Sequence, residues 1–69
     1  MILKAVLLKN LKKGSWFTRN PIEYPSDRQV FIRDDYNRSE GRFECVRYSD
    51  INDYILLKGD TIVYTDFIF

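Results

Sequence analysis

The segment RDDYNRSEGRFECVRYSD, residues 33–50, concentrates side chains that could do chemistry. It holds five acids, four arginines, two tyrosines and the only cysteine of a 69-residue chain. Three kinds of site use such residues: a calcium loop, a pair of catalytic carboxylates and a cysteine nucleophile. Each kind of site requires a particular spacing of residues or a particular partner residue, and the sequence shows whether these are present.

The calcium motif fails at its two discriminating positions. Asp35, Asn37 and Ser39 have the spacing of the first three ligands of an EF-hand loop. Such a loop also needs glycine at its sixth position and a bidentate glutamate at its twelfth. Glu40 and Val46 occupy those positions. We therefore expect no calcium site, and no other metal site.

Catalysis finds no better support in this segment. Asp34 and Asp35 are adjacent on a predicted strand, so their side chains point to opposite faces and cannot act on one substrate. Cys45 lacks a histidine partner because the chain contains no histidine, and histidine is the usual general base at neutral pH. The three glycines stand apart, which excludes a glycine-rich phosphate loop. We expect no enzymatic activity and no cofactor.

The charge of the chain is unevenly distributed. The net charge is only +1, but residues 1–20 carry +5 and residues 21–69 carry −4. The basic end could meet phosphate or an acidic partner, or it could face solvent and the acidic remainder of its own fold. Nucleic-acid binding is therefore the second functional expectation. Its candidate residues are Lys4, Lys9, Lys12, Lys13 and Arg19.

Size and composition predict one small domain over residues 1–69. A single cysteine excludes an intramolecular disulfide, so 11 aromatic residues must supply much of the core. The longest apolar run has four residues, against about 20 for a membrane span. Lys4 interrupts the apolar start, which is unlike a secretory signal. We expect a cytoplasmic protein that does not insert into a membrane.

Alternating apolar and polar residues, separated by turn signals, predict an all-β domain. The expected architecture is a small five-stranded barrel of antiparallel strands, with at most a short helical turn. DINDY, residues 50–54, reads as a polar turn in which Asp50 could cap that helical turn. The predicted strands are 2–8, 15–18, 29–35, 42–49 and 61–69.

The loop 19–28 contains both prolines and is longer than most connections. It could be a binding loop that presents Tyr24. The interpretation that we favour is a loop that crosses one end of the barrel, with Ile22 and Tyr24 tucked in.

Four short motifs follow one another along the chain. They are Leu11-Lys12-Lys13-Gly14-x-x-Phe17, Val30-x-Ile32, Phe43-x-Cys45-x-x-Tyr48 and Asp60-Thr61-x-Val63-Tyr64. Together they resemble the motifs of small SH3-like barrel proteins, many of which come from bacteria and their mobile elements. The resemblance implies an SH3-like barrel. Because such barrels bind peptides, RNA, DNA or partner proteins, it implies no particular site.

Charge pairing predicts the register of the hairpin around Gly41. With Asp35 opposite Arg42, Arg33 faces Glu44, and both pairs are of opposite charge. A slip of one residue would set Asp34 against Glu44, which places two negative charges opposite each other. The chosen register assigns four residues to the core: Val30, Ile32, Phe43 and Cys45.

The other side of the hairpin then becomes the predicted interaction face, consisting of Phe31, Arg33, Val46 and Tyr48. Aromatic residues with arginine are enriched where proteins bind one another. We therefore expect a protein-interaction or self-association module, such as a homodimer. The sequence leaves open whether this face is exposed or is covered by the 19–28 loop.

Overall fold

Six strands form one antiparallel sheet in the computed structural model, which describes residues 3–69. The all-β class is confirmed, because the helical content is a single 3-10 turn at Leu8–Asn10. Ile2, the first residue of the first predicted strand, lies outside the described residues. The strands are β1 Lys4–Leu7, β2 Trp16–Thr18, β3 Val30–Asn37, β4 Arg42–Arg47, β5 Asp50–Leu57 and β6 Ile62–Thr65.

The sheet has six strands rather than five, and it does not close into a barrel. Its order is β1-β6-β2-β3-β4-β5, so β1 and β5 are its edges. The additional strand is β5, which begins where a polar turn was predicted. Asp and Asn are rare in strands, but the first five residues of β5 are exposed, so this edge strand needs little apolar character there.

The last strand pairs inside the sheet, as its apolar sequence indicated. β6 lies between β1 and β2, and Tyr64 is opposite Ala5 on one side and Thr18 on the other. The strand is shorter than predicted because it ends at Asp66, whose φ of 64° takes the chain out of the sheet. Residues 67–69 form a tail that folds back.

The predicted hairpin is present, but its predicted register is wrong. Arg33 lies opposite Cys45 rather than Glu44, and Asn37 lies opposite Arg42. Between these pairs a bulge sets Asp34 and Asp35 together against Glu44, so the ladder before the bulge is shifted by one residue from the ladder after it.

A lysine pairs with the two aspartates of the bulge. Lys13 Nζ lies 2.8 Å from Asp35 Oδ1 and 3.8 Å from Asp34 Oδ1. The hydrogen bond to Asp35 raises the pKa of Lys13. The sequence predicted that Asp35 pairs with Arg42 and that Arg33 pairs with Glu44. In the structure, Lys13 from the turn before β2 lies close to both aspartates instead.

The hydrophobic core lies on one side of this sheet. Phe17 and Phe31 stack with ring centroids 5.9 Å apart, at its centre. Phe43, Cys45 and Val30 are buried, as predicted, but Val30 lies on the opposite face together with the partly buried Ile32, because the register differs. The buried cluster consists of Leu8, Phe17, Phe31, Phe43, Cys45 and Val63.

Candidate interaction face

The four residues of the predicted interaction face do not lie together. Phe31 is only 5% exposed and belongs to the core. Arg33 is on the same side, half-buried, with its guanidinium 4.3 Å from the ring centroid of Phe43. Val46 and Tyr48 are on the other face, because Val46 is opposite Ile32 rather than Phe31. The true register therefore divides the predicted set into two pairs.

A different aromatic surface lies on the side of the sheet away from the core. Trp16 is opposite Ile32, Ile32 is opposite Val46, and Val46 is opposite Tyr54. Since directly opposed residues point to the same side of a sheet, these four side chains form a row across β2, β3, β4 and β5. Trp16 is 45% exposed and Tyr54 is 58% exposed.

At the Trp16 end of this row, three aromatic rings pack edge to face. The ring centroids of Trp16 and Tyr48 are 5.2 Å apart, those of Trp16 and Phe69 are 5.5 Å apart, and those of Tyr48 and Phe69 are 4.9 Å apart. Edge-to-face pairs contribute about 0.5–1.5 kcal/mol each beyond burial. We call the combined surface the aromatic face; its members are Trp16, Ile32, Val46, Tyr48, Tyr54 and Phe69.

The C-terminal tail brings Phe69 to this surface. After the turn at Asp66, the N–H of Ile68 donates to the carbonyl oxygen of Glu23 at 2.8 Å. The tail and the 19–28 loop are therefore joined, and Phe69 packs on two rings of the aromatic face. Val30 is on this side yet fully buried, so one end of the surface is covered.

The rest of the aromatic face is open. Tyr48 and Phe69 each keep more than two fifths of their surface exposed, although they contact Trp16. Contiguous exposed apolar patches are uncommon on small soluble monomers and mark places where another surface binds. This patch is the best candidate functional site in the described part of the chain.

The 19–28 loop does not tuck both of its apolar residues inside. Ile22 is partly buried, whereas Tyr24 is 69% exposed and points into solvent. The loop therefore tucks in Ile22 and leaves Tyr24 exposed.

Sequence reasoning missed four members of the aromatic face: Trp16, Ile32, Tyr54 and Phe69. The wrong register had assigned Ile32 to the core. Trp16 had a signal, because neighbouring Phe17 must point to the opposite side of the same strand. No signal in the sequence indicated Tyr54, because its segment was interpreted as a turn. The place of Phe69 depends on the positive φ of Asp66, which no pattern in the sequence indicates.

The five basic residues proposed for nucleic acid do not follow one strand. Lys4 is opposite Thr65 at the end of β6, whereas the N–H of Lys9 donates to the carbonyl oxygen of Gly59 before that strand begins. Arg19 directly follows β2, and Lys12 and Lys13 precede it. Lys13 is already paired with Asp34 and Asp35. The structure does not join them into one basic strip.

Cys45 is fully buried in the core. Burial raises the pKa of its thiol to about 11, although Arg33 and Arg19 oppose the shift. Because the thiolate is the reactive form, we expect a maleimide or disulfide reagent at pH 8 to leave the native thiol unmodified. The same reagent should modify it fully in urea. Rapid labelling of the native protein would contradict the burial of Cys45.

Among residues 3–69, no three His, Cys, Asp or Glu side chains are arranged to hold a metal ion. The helical turn in the same residues is far too short to cross a membrane. Comparison of the chain with protein-family models, curated proteins and solved structures finds no match.

Proposed function

We propose that this chain is a non-enzymatic binding module that uses its aromatic face to pack against another protein, and that the partner is a second copy. The observation that carries this proposal is the row of Trp16, Ile32, Val46 and Tyr54, which runs across four strands on the side away from the core.

The small core favours self-association. Six residues make up its buried cluster, and the lone Cys45 excludes a disulfide within the chain. Small domains without a disulfide or a metal are commonly stabilised by oligomerisation. A standard interface buries about 800 Å² on each partner, which is about a sixth of the 4700 Å² that this chain exposes. A second copy of the chain could therefore cover the aromatic face of the sheet.

The chemistry of the surface also suits a protein partner. Trp and Tyr are enriched at binding hot spots because each offers a large apolar area and one polar group. The same surface on two copies would meet about a two-fold axis, as in most homodimers. The buried free thiol suits a reducing compartment, so we place the protein in the cytoplasm.

Sedimentation equilibrium of the wild type and of two lysine variants tests this proposal. We expect the wild type to gain mass with concentration and Tyr54→Lys to remain monomeric, because the lysine would bury an unpaired charge in the interface. Tyr24→Lys is the matched control: it adds the same charge at a more exposed tyrosine outside the aromatic face, and it should associate like the wild type.

Two outcomes would contradict self-association through this face. One is a wild type that stays at 8.3 kDa over the whole concentration range. The other is equal weakening by Tyr54→Lys and Tyr24→Lys. If the wild type were monomeric but bound DNA or RNA at about 50 mM salt, where electrostatic binding is strong, nucleic-acid binding would replace the proposal.

The SH3-like likeness remains part of the proposal for the fold only. The described sheet is open, and no residue of a known SH3 binding site can be carried over to this chain.

A further inference from the structure

We propose that a cleft between the 19–28 loop and the end of β4 binds one compact oxyanion, either inorganic phosphate or the phosphoryl group of a small ester. The cleft has a volume of about 200 Å³. It lies on the core side of the sheet, so it is separate from the aromatic face. Its polar lining consists of Arg19, Asn20, Arg28, Gln29 and Arg47.

Arg47 is held in place by three contacts. Its guanidinium lies over the ring of Phe31, 4.8 Å from the centroid. Its Nε donates to Asp53 Oδ2 at 2.7 Å, and Nη1 donates to the carbonyl oxygen of Arg28. A guanidinium fixed in this way loses little side-chain entropy when it meets a ligand.

The cleft has an excess of positive charge. It is lined by three arginines and no carboxylate. In residues 3–69, neither Arg19 nor Arg28 forms an ion pair with an acid, and Asp53 balances only Arg47. Positive charges that line one cleft favour the binding of an anion there. Arginine also matches phosphate oxygens with two parallel hydrogen bonds.

The size of the cleft accommodates a compact anion. A volume of 200 Å³ holds one tetrahedral anion with a few waters, since a water occupies about 30 Å³. Asn20 and Gln29 add amide groups that can donate to further oxygens. Phe31 lies beneath Arg47 and is buried, so it presents no ring on which a nucleobase could stack.

Titrations followed by amide chemical shifts in NMR test the cleft at low ionic strength. The ligands are inorganic phosphate, methyl phosphate and sodium chloride as the ionic control. We expect phosphate or methyl phosphate to saturate shifts at residues 19, 20, 28, 29 and 47, while chloride does not. Saturation by both assigns the site to the phosphoryl group in general, and saturation by phosphate alone assigns it to the free ion.

Variants that replace one arginine by the neutral glutamine give the sharper comparison. Arg19→Gln and Arg28→Gln should each weaken phosphate binding about tenfold or more, as expected when a charge-assisted hydrogen bond is lost. Arg42→Gln is the matched control, because it removes one positive charge from an exposed strand end outside the cleft. It should bind phosphate like the wild type, provided that all three variants keep the wild-type circular dichroism spectrum.

Three results would overturn the proposal. The first is the absence of saturable phosphate shifts in the wild type up to high millimolar concentration. The second is equal weakening by Arg42→Gln, which would indicate a general charge effect. The third is an oligonucleotide that binds far more tightly than methyl phosphate through the same residues, which would indicate an extended phosphate chain as the ligand.

Discussion

Deleting residues 64–69 is expected to abolish cooperative folding. The deletion removes half of β6, the strand that joins β1 to the rest of the sheet. Tyr64 is opposite both Ala5 and Thr18, so its loss leaves backbone groups of two neighbouring strands unpaired. The expected result is a chain with no sigmoidal thermal transition in far-ultraviolet circular dichroism.

A shorter deletion is the matched control. Removing only residues 67–69 leaves β6 complete but takes away Phe69, which contacts Trp16 and Tyr48. This variant should keep a cooperative transition at a lower melting temperature. If the longer deletion also kept a cooperative transition, the central place of β6 in the sheet would be wrong.

Replacing Phe17 by alanine is expected to cost about 3–5 kcal/mol of unfolding free energy, as other buried Phe-to-Ala changes do. Phe17 is fully buried and stacks on Phe31. Total stabilities of natural domains are about 5–15 kcal/mol, and a chain of this size belongs near the lower end. The variant should therefore keep about 2 kcal/mol of stability or less.

Trp16→Ala is the control on the neighbouring residue of the same strand. Trp16 points to the aromatic face and is 45% exposed, so its loss should cost clearly less than the loss of Phe17. Urea unfolding followed by circular dichroism, at a concentration low enough to keep both variants monomeric, measures the difference. A larger cost for Trp16→Ala would mean that the two faces of the sheet are reversed.

Local patterning was enough to predict much of the architecture. Alternation in TIVYTDFIF indicated a strand inside the sheet, and Gly41 marked the hairpin. Gly14, whose φ is 90°, marked the turn before β2. These features depend on neighbours in sequence, so they can be read without the fold.

The candidate site depended on features that local patterning does not reveal. The bulge at Asp34 and Asp35 changes which side of β3 each later residue faces, and its two acids pair with Lys13 from another part of the chain. Charge pairing across an uninterrupted ladder therefore gave the wrong register. Phe31 consequently moved from the predicted interaction face to the core, and the exposed aromatic residues proved to be others.

The single tryptophan reports directly on whether the aromatic face is a binding surface. Trp16 is the only tryptophan of the chain and lies within that face. If copies associate through it, raising the protein concentration should shift its emission to the blue and protect it from acrylamide quenching, and the melting temperature should rise with concentration. An emission maximum and a quenching constant that do not change, while the mass rises, would place the association elsewhere. If the mass also stays constant, the chain does not self-associate.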